Sequence, residues 1–141
     1  MEELLCWGWV DAVVRRVDDD SSAHFVAPRK ESSTWSGVNK RLVARARAAG
    51  AMTPAGEAKI AAAQANGMWS FLDDVEAGIV PDDLAEALGD LRAVWDGWPA
   101  SVQRGTLGWI KAAKTEATRA KRIADVVESA GRGLRPSPFR G

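Results

Sequence analysis

The spacing of apolar side chains divides this chain into one pair of strands and a series of short helices. Val10, Ala12 and Val14 alternate with other residues, the period of a half-buried strand. Asp18-Asp19-Asp20-Ser21 carries turn chemistry, and His24 to Ala27 returns as a second strand, so the N-terminal region predicts one β-hairpin. Ahead of it, Glu2 to Gly8 reads as the last turns of a helix closed at Gly8. A lone hairpin is marginal in water and must be covered by helices or extended by another strand.

Beyond the hairpin the period changes. Trp35, Val38, Leu42, Ala46 and Ala49 recur at three- and four-residue spacing, predicting an amphipathic helix over 36–49 whose other face carries Lys40, Arg41, Arg45 and Arg47 and which Gly50 closes. Thr53-Pro54 has the capping hydroxyl and first-turn proline that open a helix, which ends near Asn66-Gly67. Pro81 with Asp82 and Asp83 opens another, with Leu84, Ala87 and Leu88 turned inward, and a short piece follows around Leu91 to Trp95. After the break at Gly97-Trp98-Pro99, Val102, Thr106, Trp109, Ile110 and Ala113 form one apolar stripe. Thr115 then caps a last helix whose inward side is Ala120, Ile123, Ala124, Val127 and Ala130, with Glu128 and Arg132 paired four residues apart.

These elements predict an α+β fold, mostly helical with about five to six helices and one small N-terminal hairpin. A length of 141 residues fits a single domain, taken as 1–132, followed by a flexible tail over 133–141. Cys6 is the only cysteine and forms no internal disulfide, and no apolar run is long enough to span a membrane. With no basic start leading into an apolar segment, the expectation is a cytoplasmic protein without membrane insertion.

Charge changes the picture in its distribution rather than its sum. The chain carries 19 basic and 19 acidic residues, yet Lys40 to Arg47 is basic, Asp73 to Asp96 is acidic, and Arg104 to Arg122 is basic again. Compensation within the molecule is the simplest explanation. A nucleic-acid surface on the helix 36–49 is the alternative, weakened by the zero net charge.

Catalytic motifs are scarce. His24 has no second histidine or cysteine at ligand spacing, and neither a phosphate-cradling loop nor a dinucleotide fingerprint occurs, so no metal and no cofactor is expected. Cys6 with His24 as nucleophile and base is the weaker reading beside simple packing of a buried thiol. Asp18, Asp19 and Asp20 point in different directions from a turn and read as solvated. An enzyme of unknown reaction stays behind a binding protein as the reading. Trp35 and Trp109 sit on apolar helical faces as core residues, whereas Trp7 and Trp9, two apart in an extended segment, should face opposite sides, leaving at least one to line a surface groove.

Several separated motifs, in order, carry a family resemblance: Cys6-Trp7-Gly8-Trp9-Val10-Asp11, Phe25 with Pro28-Arg29, Trp35-Ser36 with Asn39, Met52 with Gly56, Gly67 with Trp69, and Trp109-Ile110 leading to Lys114, Glu116, Thr118, Arg119, Arg122 and Ile123. Over Met1 to about Arg132 the chain resembles the bacterial YdeI/OmpD-associated family. The resemblance implies an α+β fold and a role in tolerance of antimicrobial peptides or envelope stress. Family members have a further segment ahead of the cysteine and tryptophan run, so the expectation is a shortened member or a start lying upstream. The hairpin edge is then left for a partner chain, with homo-oligomers as one outcome.

The densest polar residues of these motifs suggest a binding site. Arginine recognises carboxylate or phosphate through its planar fork, and a helix N-terminus adds backbone donors for the same anion. The candidate ligand-binding set is Trp9, Asp11, Arg29, Trp35, Ser36, Asn39, Lys114, Arg119 and Arg122. Its expected partner is a small anion or an acidic protein segment, although Ser36 and Asn39 also suit the capping of a helix.

Overall fold

The computed structural model describes residues 2–140, the side chains of Ala12 and Val13 excepted. The inward alternation expected of Ala12 and the last residue of the expected tail therefore lie outside the described residues. The fold is α+β, and it divides into two compact units, Met1–Asp73 and Asp74–Gly141.

In the first unit, α1 (Glu2–Cys6) leads into a hairpin of β1 (Trp9–Arg16) and β2 (Ser22–Pro28), then α2 (Gly37–Ala48) and α3 (Pro54–Asn66). The strands pair antiparallel from Trp9 opposite Pro28 to Arg16 opposite Ser22, with an irregularity in register between Asp11 and Val13. The predicted turn is closed by Val17 donating to the Ser21 carbonyl and by Asp20 donating to the Asp18 carboxylate. Ser21 in turn holds the Asp18 carboxyl below its ordinary value, so this acid is spent on turn geometry.

Gly8 takes a left-handed φ of 77°, which turns the chain sharply between α1 and β1. Its carbonyl accepts from the Arg29 N–H at 2.8 Å, tying the end of β2 to that corner. Leu5, Trp35, Val43, Ile60 and Ala63 form the core, with Met52, Met68 and Trp69 packed on it. The α2 face differs from the expected one. Val38 is 52% exposed and Ala49 is exposed, while Val43 is buried. Asn39, Leu42, Val43 and Ala46 share one helical arc, and Val38 lies about 100° away from Asn39 around the axis.

The caps fall where the sequence places them. Ser36 and Asn39 close a reciprocal capping box on α2, Thr53 accepts from the Gly56 N–H at the start of α3, and Gly67 ends that helix.

The short α4 (Asp73–Glu76) begins at the last residue of the first unit. The second unit contains α5 (Asp82–Leu88), a 3₁₀ turn over Gly89–Leu91, α6 (Arg92–Asp96), α7 (Ala100–Lys111) and α8 (Glu116–Gly131). It buries Val75, Leu84, Leu88, Trp95, Val102, Leu107, Ile110, Ile123, Val126 and Ala130. Thr115 caps α8 by accepting from the Thr118 N–H, as its sequence suggests.

The buried stripe of α8 is rotated from the expected one: Val126 and Ser129 are buried, whereas Ala120 and Ala124 are exposed, as is Ala87 on α5. Alanine spacing marks a helix without deciding its inner face, because alanine fits either side. Residues 133–140 fold back on α8. Pro136 is fully buried, the Asp125 carboxylate accepts from the Ser137 N–H at 2.9 Å, and Arg140 donates to Ser129 Oγ at 2.7 Å.

Candidate functional site

The hairpin corner and the start of α2 together frame a small, half-open cavity of about 220 Å³, lined by Leu5, Trp9, Val10, Asp11, Arg29 and Asn39. Four of the expected site residues, Trp9, Asp11, Arg29 and Asn39, thus share one recess. Trp35 and Ser36 stand directly behind them, Trp35 against Arg29 and Ser36 bonded to Asn39.

Arg29 is the centre of this arrangement. It is 6% exposed. Its Nη1 donates to the Thr34 carbonyl at 3.0 Å, and its guanidinium carbon lies 3.9 Å from the Trp35 ring centroid. Its Nε has no partner, and among the described residues Arg29 makes no ion pair. Burial accordingly lowers the guanidinium pKa from its ordinary value.

Asp11 faces the same cavity. One carboxylate oxygen lies 3.3 Å from His24 Nδ1, while Oδ1 is buried and unpartnered. His24 is exposed and engaged with Asp11, and Cys6 is a buried thiol, the packing role expected of it. Ser36 and Asn39 are committed to the capping box, with Ser36 Oγ donating to Asn39 Oδ1 at 3.1 Å and accepting from the Asn39 N–H at 3.2 Å.

Trp7 and Trp9 depart from expectation. Both are exposed, at 60% and 39%, and both line one open recess with Glu3, Leu4 and Val26. Alternation fails because the left-handed Gly8 stands between them, so the segment is a turn rather than an extended run.

Lys114, Arg119 and Arg122 belong to the second unit. Lys114 is exposed. Arg119 grips Asp83 with two parallel bonds of 2.7 and 2.9 Å, which hold the Asp83 carboxyl below its ordinary range. Arg122 donates to the Trp109 carbonyl and lies 5.2 Å from the Trp109 ring, so Trp109 serves as a half-buried platform rather than as deep core.

This unit also carries a larger recess, an open groove of about 760 Å³ along α5 and α8 whose lining includes Ala87, Ala120, Ala124, Val127, Glu116, Glu128 and the Asp83–Arg119 pair. Among the described residues no unpartnered buried polar atom marks its wall. Orientation of a small ligand requires such groups, so the smaller cavity has the stronger chemistry.

Charges on α2 are largely compensated within the first unit. Lys40 pairs with Asp73, Arg45 with Glu2 at 3.4 Å, and Arg47 with Glu57 through bonds of 2.6 and 2.8 Å. Among the described residues no group of three metal-ligating side chains is assembled, and no helix is long and apolar enough to cross a membrane.

Comparison with known proteins divides the chain along similar lines. No curated protein and no solved structure matches it. Residues 1–59 match the model of a domain of unknown function (DUF8412), so the motifs between Cys6 and Gly56 fall under a separate family model from those near the C-terminus. Residues 77–133, within the second unit, match the model of the bacteriocin-protection, YdeI or OmpD-associated family, which is the family this sequence resembles.

Proposed function

We propose that this protein is a binding protein in bacterial stress tolerance, and that its first unit recognises a small anion in the Arg29 cavity. One observation carries the reading: a buried arginine with an unpartnered Nε lines a half-open recess without an ion-pair partner among the described residues. A cation held in this way attracts an anion strongly because little water screens it. The Trp35 ring and the Thr34 carbonyl fix the guanidinium before any ligand arrives, so little ordering remains to oppose binding.

The link to bacteriocin protection comes from the family model matched at 77–133 and supplies the physiological setting; the cytoplasm is the compartment we propose from the sequence. Arg119 and Arg122 are occupied by Asp83 and Trp109, which favours Arg29 as the recognising group. The ion pairs on α2 argue against a nucleic-acid surface there, since Lys40, Arg45 and Arg47 already face carboxylates.

A thermal-shift series with acetate, formate and phosphate on the full chain tests the reading. At least one anion should raise the melting temperature of the parent and leave Arg29→Met unmoved. Equal responses in both proteins, or no response in the parent, would reject it. Trp9→Ala, on the cavity wall but exposed, provides a second variant that keeps the buried cation.

A further inference from the structure

We infer that the Arg29 cavity takes a zwitterion, a molecule carrying a carboxylate and an ammonium on the same carbon, as a free α-amino acid does. The inference rests on the anion reading above and adds a second required group.

Two of the lining residues each carry a buried polar atom without a partner, and the two atoms have opposite needs. Nε of Arg29 is a donor and Oδ1 of Asp11 is an acceptor. A simple anion satisfies the arginine but meets the Asp11 carboxylate as a like charge. A simple cation satisfies Asp11 and is repelled by Arg29. A molecule with both groups answers both atoms, and the two charged residues then distinguish its two ends.

Both residues are held for this purpose from outside the cavity. Arg29 is fixed by Thr34 and Trp35, and Asp11 Oδ2 is engaged by His24. The remaining wall is Leu5, Val10 and Trp9 together with Asn39, and its apolar part suits a short aliphatic substituent. A volume of about 220 Å³ lies below the roughly 300–1,000 Å³ of sites for drug-sized ligands, which restricts the occupant to a small metabolite.

Chemical-shift titration of the Arg29 Nε–H provides a direct readout on the full chain. Glycine, acetate and methylamine are the probes, being the zwitterion and its two halves. Glycine should shift the resonance saturably at about tenfold lower concentration than acetate, and methylamine should leave it in place. Asp11→Asn should bring glycine and acetate to similar affinity while keeping acetate binding.

If acetate matches or exceeds glycine in the parent, the zwitterion is excluded and the anion reading stands. If neither probe moves the Nε–H resonance, both readings fall. The parent comparison decides the matter even if Asp11→Asn does not fold.

Discussion

The guanidinium carbon of Arg29 lies 3.9 Å from the centroid of the Trp35 ring, and both side chains are buried. The stack explains how a cation without an ion pair is tolerated inside the first unit. The ring face offers negative quadrupole charge, and the Thr34 carbonyl accepts one of the five N–H donors.

This relationship gives an ordering of variants. Arg29→Lys places a strongly hydrated ammonium where a weakly hydrated plane was stacked, and should lower stability by about 1–3 kcal/mol. Arg29→Met removes the buried charge altogether and should cost less than the lysine substitution. Urea unfolding followed by tryptophan fluorescence measures both, and a lysine variant as stable as the parent would contradict the role given to the stack.

Two helical glycines should respond to alanine with opposite sign. At Gly56 a Cβ would stand 2.2 Å from the Cys6 carbonyl oxygen and 2.7 Å from Met52 Sδ, so α3 could no longer approach α1. Thr53 donates to that same carbonyl through its N–H and its hydroxyl, fixing the approach. Gly56→Ala should cost about 1–3 kcal/mol. At Gly108 the nearest atom to a Cβ is Val75 Cγ1 at 3.8 Å, so Gly108→Ala should gain about 0.5–1 kcal/mol from helix propensity. Thermal melts of the two variants check the pair.

Acid sensitivity follows from carboxyls held below their ordinary values. At Asp83 the Arg119 hydrogen bonds are the main cause. At Asp125 burial pushes upward, but bonds from Ser137 and Ser129 and the charge of Arg140 outweigh it. A carboxyl with a depressed folded pKa contributes stability above its unfolded value, about 3.9, and loses it as pH falls through the folded one. The melting temperature should therefore drop between about pH 5 and pH 2, and Asp125→Asn should flatten that slope. An unchanged slope in the variant would count against this assignment.

Asp125 also anchors the C-terminal residues. Its carboxylate receives the Ser137 N–H and hydroxyl, Pro136 is buried, and the Phe139 ring fills the space beside Gly105. Chymotrypsin should cleave after Phe139 slowly in the parent and faster in Asp125→Asn, since local opening exposes that bond. Mass spectrometry of a timed digest separates the two.

Much of the fold was legible because its signals are local. Thr53-Pro54, Gly67 and Thr115 mark helix ends through bonds within three or four residues, and the Asp18 to Ser21 turn closes on itself. Faces were harder to read. Val38 and Val43 are equally apolar in sequence, and the choice between them depends on Trp35 and Ile60 arriving from elsewhere. Leu107 and Val126 escaped notice because alanine and threonine neighbours gave competing stripes.

Within the candidate site, the types of Arg29, Asp11 and Trp9 were readable. Their shared cavity was not, since it is made by the Gly8 turn and by the bond from Arg29 N–H to the Gly8 carbonyl. Arg119 illustrates the converse: sequence shows an arginine, and only tertiary structure shows Asp83 occupying its fork.

The aromatic content is arranged so that each unit holds its own indole couple. Trp35 and Trp69 lie 5.2 Å apart in the first unit, and Trp95 and Trp98 lie 5.5 Å apart in the second. Close, tilted indoles of this kind produce strong near-ultraviolet circular dichroism that vanishes when their packing is lost. Replacing Trp98 by phenylalanine silences one couple and leaves the other as a spectroscopic clock for the Arg29 unit alone.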